Sequence, residues 1–430
     1  MNIDADIIDL VRKKIGSNRG KIADGEKYLP ASGKVLDESD YAYQIQAVLD
    51  GWLTSGRFND LFEDSIKQLL GVKYVLTVNS GSSANLIAFS SLLSKKLGEK
   101  KICPGSEIIT VATSFPTTVN PIIQNRCIPV FCDAELGQYN INMEQLTGAL
   151  TEKTKGVMLA HTLGNPFDVQ KVQDFCDQHG LFLIEDCCDA LGSRYQDQMV
   201  GTFGHFSTFS FYPAHHITTG EGGAIATNDP KLYSIARSMR DWGRDCWCPA
   251  GQDDSCNKRF GWQLGNLPTG YDHKYTYSEI GYNLKMTDVQ AACGLAQIKK
   301  FNQFGLKRKA NFMVMLKEIE SLQDKLILPT SLQKSQPSWF GFPICIRQEV
   351  NKKRSDLQAY LESHGIGSRL IFAGNITKQP CLENVDYRIV GDLTNSDLIM
   401  NNALWLGIHQ QLNESDVLRI SQRVKGFFST

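Results

Sequence analysis

From Tyr74 onward the chain alternates short β-rich runs with helical segments, and this alternation constrains the fold more than any other feature. Tyr74–Val78 precedes a helix from Ser82, and Glu107–Val111 precedes a helix over 117–124. Runs at 127–131, 156–160 and 181–185 follow, the last two separated by a helical stretch near Val169–His179. Strands interleaved with helices in this way predict a mostly parallel sheet with helices on both faces, an α/β fold. Past Gly201 the strands shorten to 206–211 and Gly223–Thr227, followed by a helix through Arg240.

Residues 243–280 break the pattern. They are rich in Gly, Asp, Cys, Trp and Tyr and poor in aliphatics, which reads as a long structured loop. A stretch of roughly forty residues without a strong period is unusual in a compact domain and is usually functional. A long helical segment over 287–322 then leads to a smaller C-terminal α/β domain. The expected organisation is an N-terminal arm over 1–36, opening with an amphipathic helix over 1–15. A large domain over 37–300 carries the 243–280 loop, and a small domain spans 301–430.

Charge and hydropathy narrow the function. Lys plus Arg total 45 against 46 Asp plus Glu, a net charge of −1 over 430 residues. That balance argues against a surface coated with phosphate-binding cations, and so against bulk nucleic-acid binding. No apolar run reaches the length of about 18 residues needed for a transmembrane helix. Residues 1–16 mix Asp4, Asp6 and Asp9 with Arg12, Lys13 and Lys14, unlike a secretory signal. A cytoplasmic enzyme is the expectation. In such a reducing compartment the 12 cysteines read as buried thiols or as metal ligands rather than disulfides.

Three motifs carry chemistry. In Asn79-Ser80-Gly81-Ser82-Ser83-Ala84-Asn85 a strand passes into a helix through a glycine and three serines. This is either an anion cradle suited to a phosphate monoester or a plain N-cap turn. In Leu183-Ile184-Glu185-Asp186-Cys187-Cys188-Asp189 an apolar strand ends in an acid at the carboxyl edge of the sheet. Asp186 there can keep a heterocyclic nitrogen protonated, or simply cap the next helix. In Ser210-Phe211-Tyr212-Pro213-Ala214-His215-His216 two adjacent histidines sit in a turn. One of them is a candidate acid/base, the alternative being a structural histidine.

Taken in order and spacing, these motifs resemble the sugar aminotransferase family of fold-type-I pyridoxal-phosphate enzymes. Further matching landmarks are 50–54, 161–165 and 281–288. The resemblance implies that Gly81, Ser82 and Ser83 cradle the cofactor phosphate and that Ser210 adds a hydroxyl. It implies that Phe115 stacks on the pyridine ring, with Asp186 as partner of the ring nitrogen. Asp189 stands where the family often has Gln or His, still facing the cofactor. Asn283 matches the residue that reaches the phosphate across a dimer interface, implying a homodimer.

One departure carries more information than the matches. The family pattern is Ser-Phe-x-Pro-x-Lys, whereas here the frame reads Ser210-Phe211-Tyr212-Pro213-Ala214-His215, with His215 at the lysine position. Imidazole cannot form a Schiff base, so the cofactor is expected to bind non-covalently as pyridoxamine 5′-phosphate. This replacement resembles the sugar 3-dehydratases, which remove the 3-hydroxyl of 4-keto-6-deoxy nucleotide sugars.

The cysteines extend the resemblance. Cys246, Cys248 and Cys256 form Cys-x-Cys-x7-Cys within one loop, and Cys187-Cys188 offers a fourth thiol beside the ring acid. Four thiolates suit tetrahedral zinc or an iron–sulfur cluster, and ligand type alone does not decide. The full pattern through Cys188, Cys-x57-Cys-x-Cys-x7-Cys, resembles the 3-dehydratases that hold a [2Fe-2S] cluster, with Cys188, Cys246, Cys248 and Cys256 as ligands. That resemblance implies His215 as the base and a CDP-linked 4-keto-6-deoxyglucose as substrate. It also implies an NADH-dependent flavin/iron–sulfur reductase as partner. The rival expectations are a cluster-independent 3-dehydratase recycled by glutamate and a non-catalytic scaffold holding structural zinc. Arg369 is a candidate contact for the sugar or diphosphate.

Overall fold

A computed structural model of the chain describes residues 5–18, 27–249 and 251–429. Its centre is an eight-stranded sheet in the order Tyr74–Val78, Gly223–Thr227, Phe206–Ser210, Phe182–Asp186, Thr154–Ala160, Glu107–Val111, Ile128–Cys132, Arg388–Ile389. Gly223–Thr227 runs antiparallel to both neighbours, and every other pairing is parallel. The inner strands are apolar and buried on both faces, as a parallel sheet covered on both sides requires. Two of them lie one residue further along than the sequence suggests, at Ile128–Cys132 and Phe182–Asp186. The shift brings Asp186 inside the sheet as a strand-terminal residue.

Amphipathic helices close the faces. Arg57–Leu70 packs Phe58, Phe62, Ile66 and Leu70 inward at i, i+4 spacing and ends on Gly71 in the left-handed conformation. Its N-cap is Gly56, which has no side chain to offer. Asp288 supplies the cap from a distant helix, accepting from the amides of Gly56, Phe58 and Asn59 at 3.0, 3.2 and 2.9 Å. Ser55 Oγ also donates to the Met286 carbonyl at 3.0 Å. The landmark at 281–288 thus meets the segment just after the one at 50–54.

The helical segment expected over 287–322 is two helices, Asp288–Ile298 and Phe301–Ile319, with a short 3₁₀ turn over Glu320–Leu322. The break falls at Lys299–Lys300, where Lys300 opens the second helix without a side-chain cap and binds Asp37 and Asp40 instead. Beyond it lies a four-stranded antiparallel sheet in the order Leu326–Ile327, Phe342–Ile346, Ala403–Leu406, Ser368–Arg369, with its own apolar core around Phe342, Leu357 and Val424. Arg388–Ile389, far along the chain, nevertheless extends the edge of the large sheet.

At the N-terminus, Ala5–Asn18 is helical, and residues 19–26 lie outside the described residues. Residues 29–31 are not a loose arm. Leu29 is fully buried and exchanges backbone hydrogen bonds with Gly365 and Gly367 at 2.8 and 2.9 Å. Among the described residues no helix is long and apolar enough to cross a membrane.

Candidate active site and thiol cluster

Sheet register brings the chemistry to one edge. Phe182–Asp186 and Phe206–Ser210 are parallel neighbours, so their carboxyl ends carry Asp186 and Ser210 to the same rim. Val78 pairs with Gly223, and the turn after Val78 leads into the helix Gly81–Ser91. The requirement for glycine at 81 is steric. A Cβ there would stand 2.5 Å from Ser210 Cβ and 2.9 Å from Cys188 Sγ. The N-terminus of the helix therefore lies directly against Ser210, as a phosphate cradle with an added hydroxyl needs.

The three serines divide their duties. Ser80 Oγ accepts from the Ser83 amide at 3.1 Å, and Ser83 Oγ donates to Asn79 Oδ1 at 2.6 Å. Ser83 is thus occupied with the cap, while the exposed Ser82 donates to Thr117 Oγ1 at 3.1 Å.

Asp186 is buried and held from three sides. Its Oδ2 accepts from Asn85 Nδ2 at 2.8 Å and Thr118 Oγ1 at 2.7 Å, and its Oδ1 from the Cys188 amide at 3.1 Å. Thr208 Oγ1 donates to Asn85 Oδ1 at 2.6 Å, fixing the amide's orientation. These bonds fix the carboxylate's position at the end of its strand, where a ring nitrogen could meet it. Phe115, half exposed, opens the helix Pro116–Gln124 and meets Phe372 edge-on at 6.0 Å between centroids.

His215 sits at the same rim, with Nδ1 3.3 Å from Asp189 Oδ1. Below it runs Arg308, almost fully buried, donating to the carbonyls of Phe340 at 3.0 Å and of Ala214 and His215 at 3.4 Å. Burial lowers the Arg308 guanidinium to about 10, and Asp189 pulls it back up. The two histidines part company. His216 turns inward to the Ser338 carbonyl at 2.7 Å, and burial, with Arg308 nearby, holds its imidazole well below the usual range. His215 stays partly exposed beside Asp189.

A polar pocket of this shape fits a pyridoxal-type cofactor: a glycine that only a close-packed phosphate turn needs, a carboxylate held for a ring nitrogen, and an aromatic at the rim. Asn85, Thr118, Thr208 and Arg308 escaped the sequence reading. Arg308 had a signal, since it interrupts the inward stripe Phe301, Phe304, Phe312, Met315 and Ile319 with a cation. Asn283 is exposed, accepts from Lys285 Nζ at 2.6 Å and bridges to Asp241. Arg369 lies exposed on Ser368–Arg369 and donates to its neighbour's carbonyl at 2.8 Å.

The cysteines divide. Cys187 is fully buried, packed behind the sheet with His161 and Glu185. Glu185 is already saturated by the amides of Gly201, Phe203 and Gly204, so this group is structural. Cys188 lies in the cofactor pocket against Gly81, where burial, then Asp186, pushes its thiol well above the ordinary value. Cys246 and Cys248 instead gather with His273 within 4.8 Å, and Cys256 Sγ is 3.5 Å from His273 Nε2. Burial pushes the Cys248 thiol up, but hydrogen bonds from Ser255 and the neighbouring cysteines outweigh it and bring it to about 6. Cys188 Sγ lies against Gly81, and the group within 4.8 Å on the loop is Cys246, Cys248 and His273. Cys246 and Cys248 also line a cavity of about 1060 Å³ with Trp52, Arg240, Trp242 and Trp247, away from Asp186 and His215.

Comparison with known proteins agrees with this geometry. Residues 35–425 match the DegT/DnrJ/EryC1/StrS aminotransferase family. The chain is 53% identical over 404 residues to the lipopolysaccharide biosynthesis protein RfbH of Salmonella typhimurium, covering 94% of this chain and 92% of that protein. It is 47% identical over 403 residues to the dTDP-4-dehydro-2,6-dideoxy-D-glucose 3-dehydratase of Saccharopolyspora spinosa, covering 94% and 87%. Among solved structures, an E. coli GDP-4-keto-6-deoxy-D-mannose-3-dehydratase with bound hydrated PLP superposes with a TM-score of 0.82 at 27% identity, covering 93% of this chain and 100% of that one. A GDP-4-keto-6-deoxymannose-3-dehydratase with a trapped PLP-glutamate geminal diamine gives a TM-score of 0.82 at 28% identity, covering 92% and 99%.

Proposed function

The chain belongs to the DegT/DnrJ/EryC1/StrS aminotransferase family, with its fold-type-I architecture, and from that premise we propose that it is a nucleotide-sugar 3-dehydratase. It removes the C3 hydroxyl of a nucleotide-linked 4-keto-6-deoxyhexose, with pyridoxamine 5′-phosphate as a non-covalent cofactor. The observation that carries this reading is His215, at the position of the family's lysine, partly exposed beside Asp189 while His216 turns inward to Ser338. The 3-dehydratases among its relatives support it.

When bound, the cofactor supplies an amine and an electron-accepting ring. The chain's own residues do the rest. Gly81, Ser82 and Ser210 bind the phosphate at the helix N-terminus, while Ser83 holds the turn. Asp186, oriented by Asn85 and Thr118, would be the partner of the ring nitrogen. Phe115 covers the ring face. Asp189 meets His215 at Nδ1, which leaves Nε2 to take and return a proton at the pocket. Arg308 anchors the carbonyls of the His215 turn and keeps the imidazole in place.

The finer reading names a CDP-linked 4-keto-6-deoxyglucose, in the biosynthesis of a 3,6-dideoxyhexose for lipopolysaccharide. It includes a homodimer in which Asn283 serves the neighbouring phosphate. It also includes an iron–sulfur centre on the 243–280 loop, with an NADH-dependent flavin/iron–sulfur reductase as electron donor. The gathering of Cys246, Cys248 and Cys256 supports a metal there. A second reading is a 3-dehydratase recycled by glutamate, favoured by the similarity to the structure with trapped PLP-glutamate.

One assay series tests these readings. The protein with pyridoxamine phosphate is offered CDP-, GDP- and dTDP-linked 4-keto-6-deoxy sugars, with reductase and NADH or with glutamate. A 3-deoxy product from the CDP sugar requiring reductase is expected. Turnover with glutamate alone selects the second reading, and no dehydration of any sugar refutes both.

A further inference from the structure

We propose that Phe372 determines specificity at the cofactor pocket, forming with Phe115 an apolar wall against the methyl end of a 6-deoxyhexose. The inference rests on the reading of the protein as a nucleotide-sugar 3-dehydratase, and it names the residue that senses the missing 6-hydroxyl.

Three observations carry the assignment. First, the backbone of Phe372 lies at φ +46°, in the left-handed region, an outlier for a bulky side chain. Such strain persists only where the surroundings hold it, and it gathers at ligand sites. Here the hold is visible. The Ala373 amide donates to the Ser114 carbonyl at 3.2 Å, the Gly374 amide to the Ile371 carbonyl at 2.9 Å and the Ile376 amide to the Ala112 carbonyl at 2.9 Å. The turn over 371–376 is thereby laced onto the segment that runs from strand Glu107–Val111 into Phe115. Second, the side chain does not recover that cost in the core. Ile371 before it is buried in the large core and Ala373 after it packs on the cluster around Ala112 and Phe131, whereas Phe372 stays half-buried between them. Its ring meets Phe115 edge-on at 6.0 Å between centroids, and Phe115 is itself half exposed. A glycine would adopt the same φ without strain, so what the position keeps is the phenyl ring. Third, Phe115 opens the helix whose first turn touches the cofactor site twice. Thr117 accepts from Ser82 at the phosphate turn, and Thr118 donates to Asp186. Phe372 is one ring contact away from that site.

The chemistry of the sugar supplies the ligand. C4 of a 4-keto-6-deoxyhexose meets the cofactor amine, and C6 is separated from C4 by C5 alone. That end of the sugar is apolar, because a methyl stands in place of a hydroxymethyl. Two aromatic rings in edge contact give a methyl group dispersion contacts and give a hydroxyl no partner. A hydroxymethyl there loses its water without gaining a hydrogen bond. The wall therefore favours the 6-deoxy sugar, by the roughly ten- to two-hundred-fold that one apolar group is worth in a pocket.

Titration calorimetry on the full-length protein loaded with pyridoxamine phosphate tests the assignment without turnover. The probes are CDP-, GDP- and dTDP-linked 6-deoxyhexoses, the matching nucleotide hexoses with an intact 6-hydroxyl, and the nucleoside diphosphates alone. The wild type should bind the 6-deoxy sugar about tenfold or more tighter than its 6-hydroxy counterpart. Phe372→Asn tolerates the left-handed backbone and removes the ring, so the melting temperature should not fall. It should bring the preference to within about twofold, while affinity for the nucleoside diphosphate alone changes by less than about twofold. Phe372→Gly, which removes the strain as well, should lose the preference equally. A preference unchanged in both variants, or an equal loss of nucleoside diphosphate binding, overturns the proposal. A wild type that binds nucleotide sugars without regard to the 6-hydroxyl overturns it alone, whereas one that binds none of them overturns the 3-dehydratase reading beneath it as well.

Discussion

The cofactor pocket and the thiol loop are both built from polar side chains, yet they are held in opposite ways. In the pocket, Asp186 and Ser210 end neighbouring strands, and their spacing follows from the register of a sheet buried on both faces. Around Cys246 no strand sets the spacing. Arg259 with Asp272, the Asp272 cap over Lys274 and the backbone pairing of Asp245 with Thr276 do so one contact at a time. A site on a sheet edge inherits the stability of the core, whereas a site on a polar loop is only as firm as its local bonds.

The largest expected effect lies in the pocket. His215→Asn should lower 3-deoxy product formation by about a hundred- to ten-thousand-fold, the usual worth of a positioned general base, with the melting temperature little changed. His215→Lys should make pyridoxal phosphate attachment covalent, visible as a mass gain after borohydride reduction.

Next comes the support beneath the pocket. Arg308→Met leaves the carbonyls of Phe340, Ala214 and His215 without a buried donor, and should cost about 2–4 kcal/mol in urea unfolding. Dehydration should fall along with stability, because the His215 turn loses its anchor. A variant of unchanged stability would show that the pocket does not depend on the core in this way.

Acid sharpens the contrast. Burial holds the His409 imidazole down at about 4, although its bond to the Pro30 carbonyl pulls the other way. The unfolded chain, with an ordinary value near about 6.5, takes up the proton first as pH falls. Stability is therefore full above that value and declines toward about 4, by about 3 kcal/mol in all. His216 pushes in the same direction. His409→Gln keeps a donor toward Pro30 and should flatten the pH dependence of the unfolding free energy over that window.

The smallest global effect belongs to the loop. Stripping metal with a chelator should speed proteolysis within 243–280 by about tenfold or more while moving the melting temperature by about a degree or less. A large drop in melting temperature would mean the loop and the sheet unfold together.

Legibility followed the same division. The alternation after Tyr74 and the motifs at Ser80, Asp186 and His215 were readable because strand and helix periods and cap residues are local signals. The hold on Asp186 was not readable. Asn85, Thr118 and Thr208 come from three separate elements, and no spacing in the chain relates them. The Asp288 cap on Arg57–Leu70, joining residues more than two hundred positions apart, was equally invisible. The cysteine spacing did not show that Cys188 lies against Gly81 or that His273 packs among the loop thiols.

By itself, then, the order of residues determined the parallel sheet, the helix N-terminus beside a strand end, and a histidine where this family carries its lysine. Each depends on near neighbours, through backbone period, capping or the identity of a single side chain. Only the tertiary structure decided which distant groups meet: Arg308 under His215, Asp288 on Gly56, His273 among the thiols. Those meetings arise when separate elements pack on a common core and bring together side chains that no local rule connects.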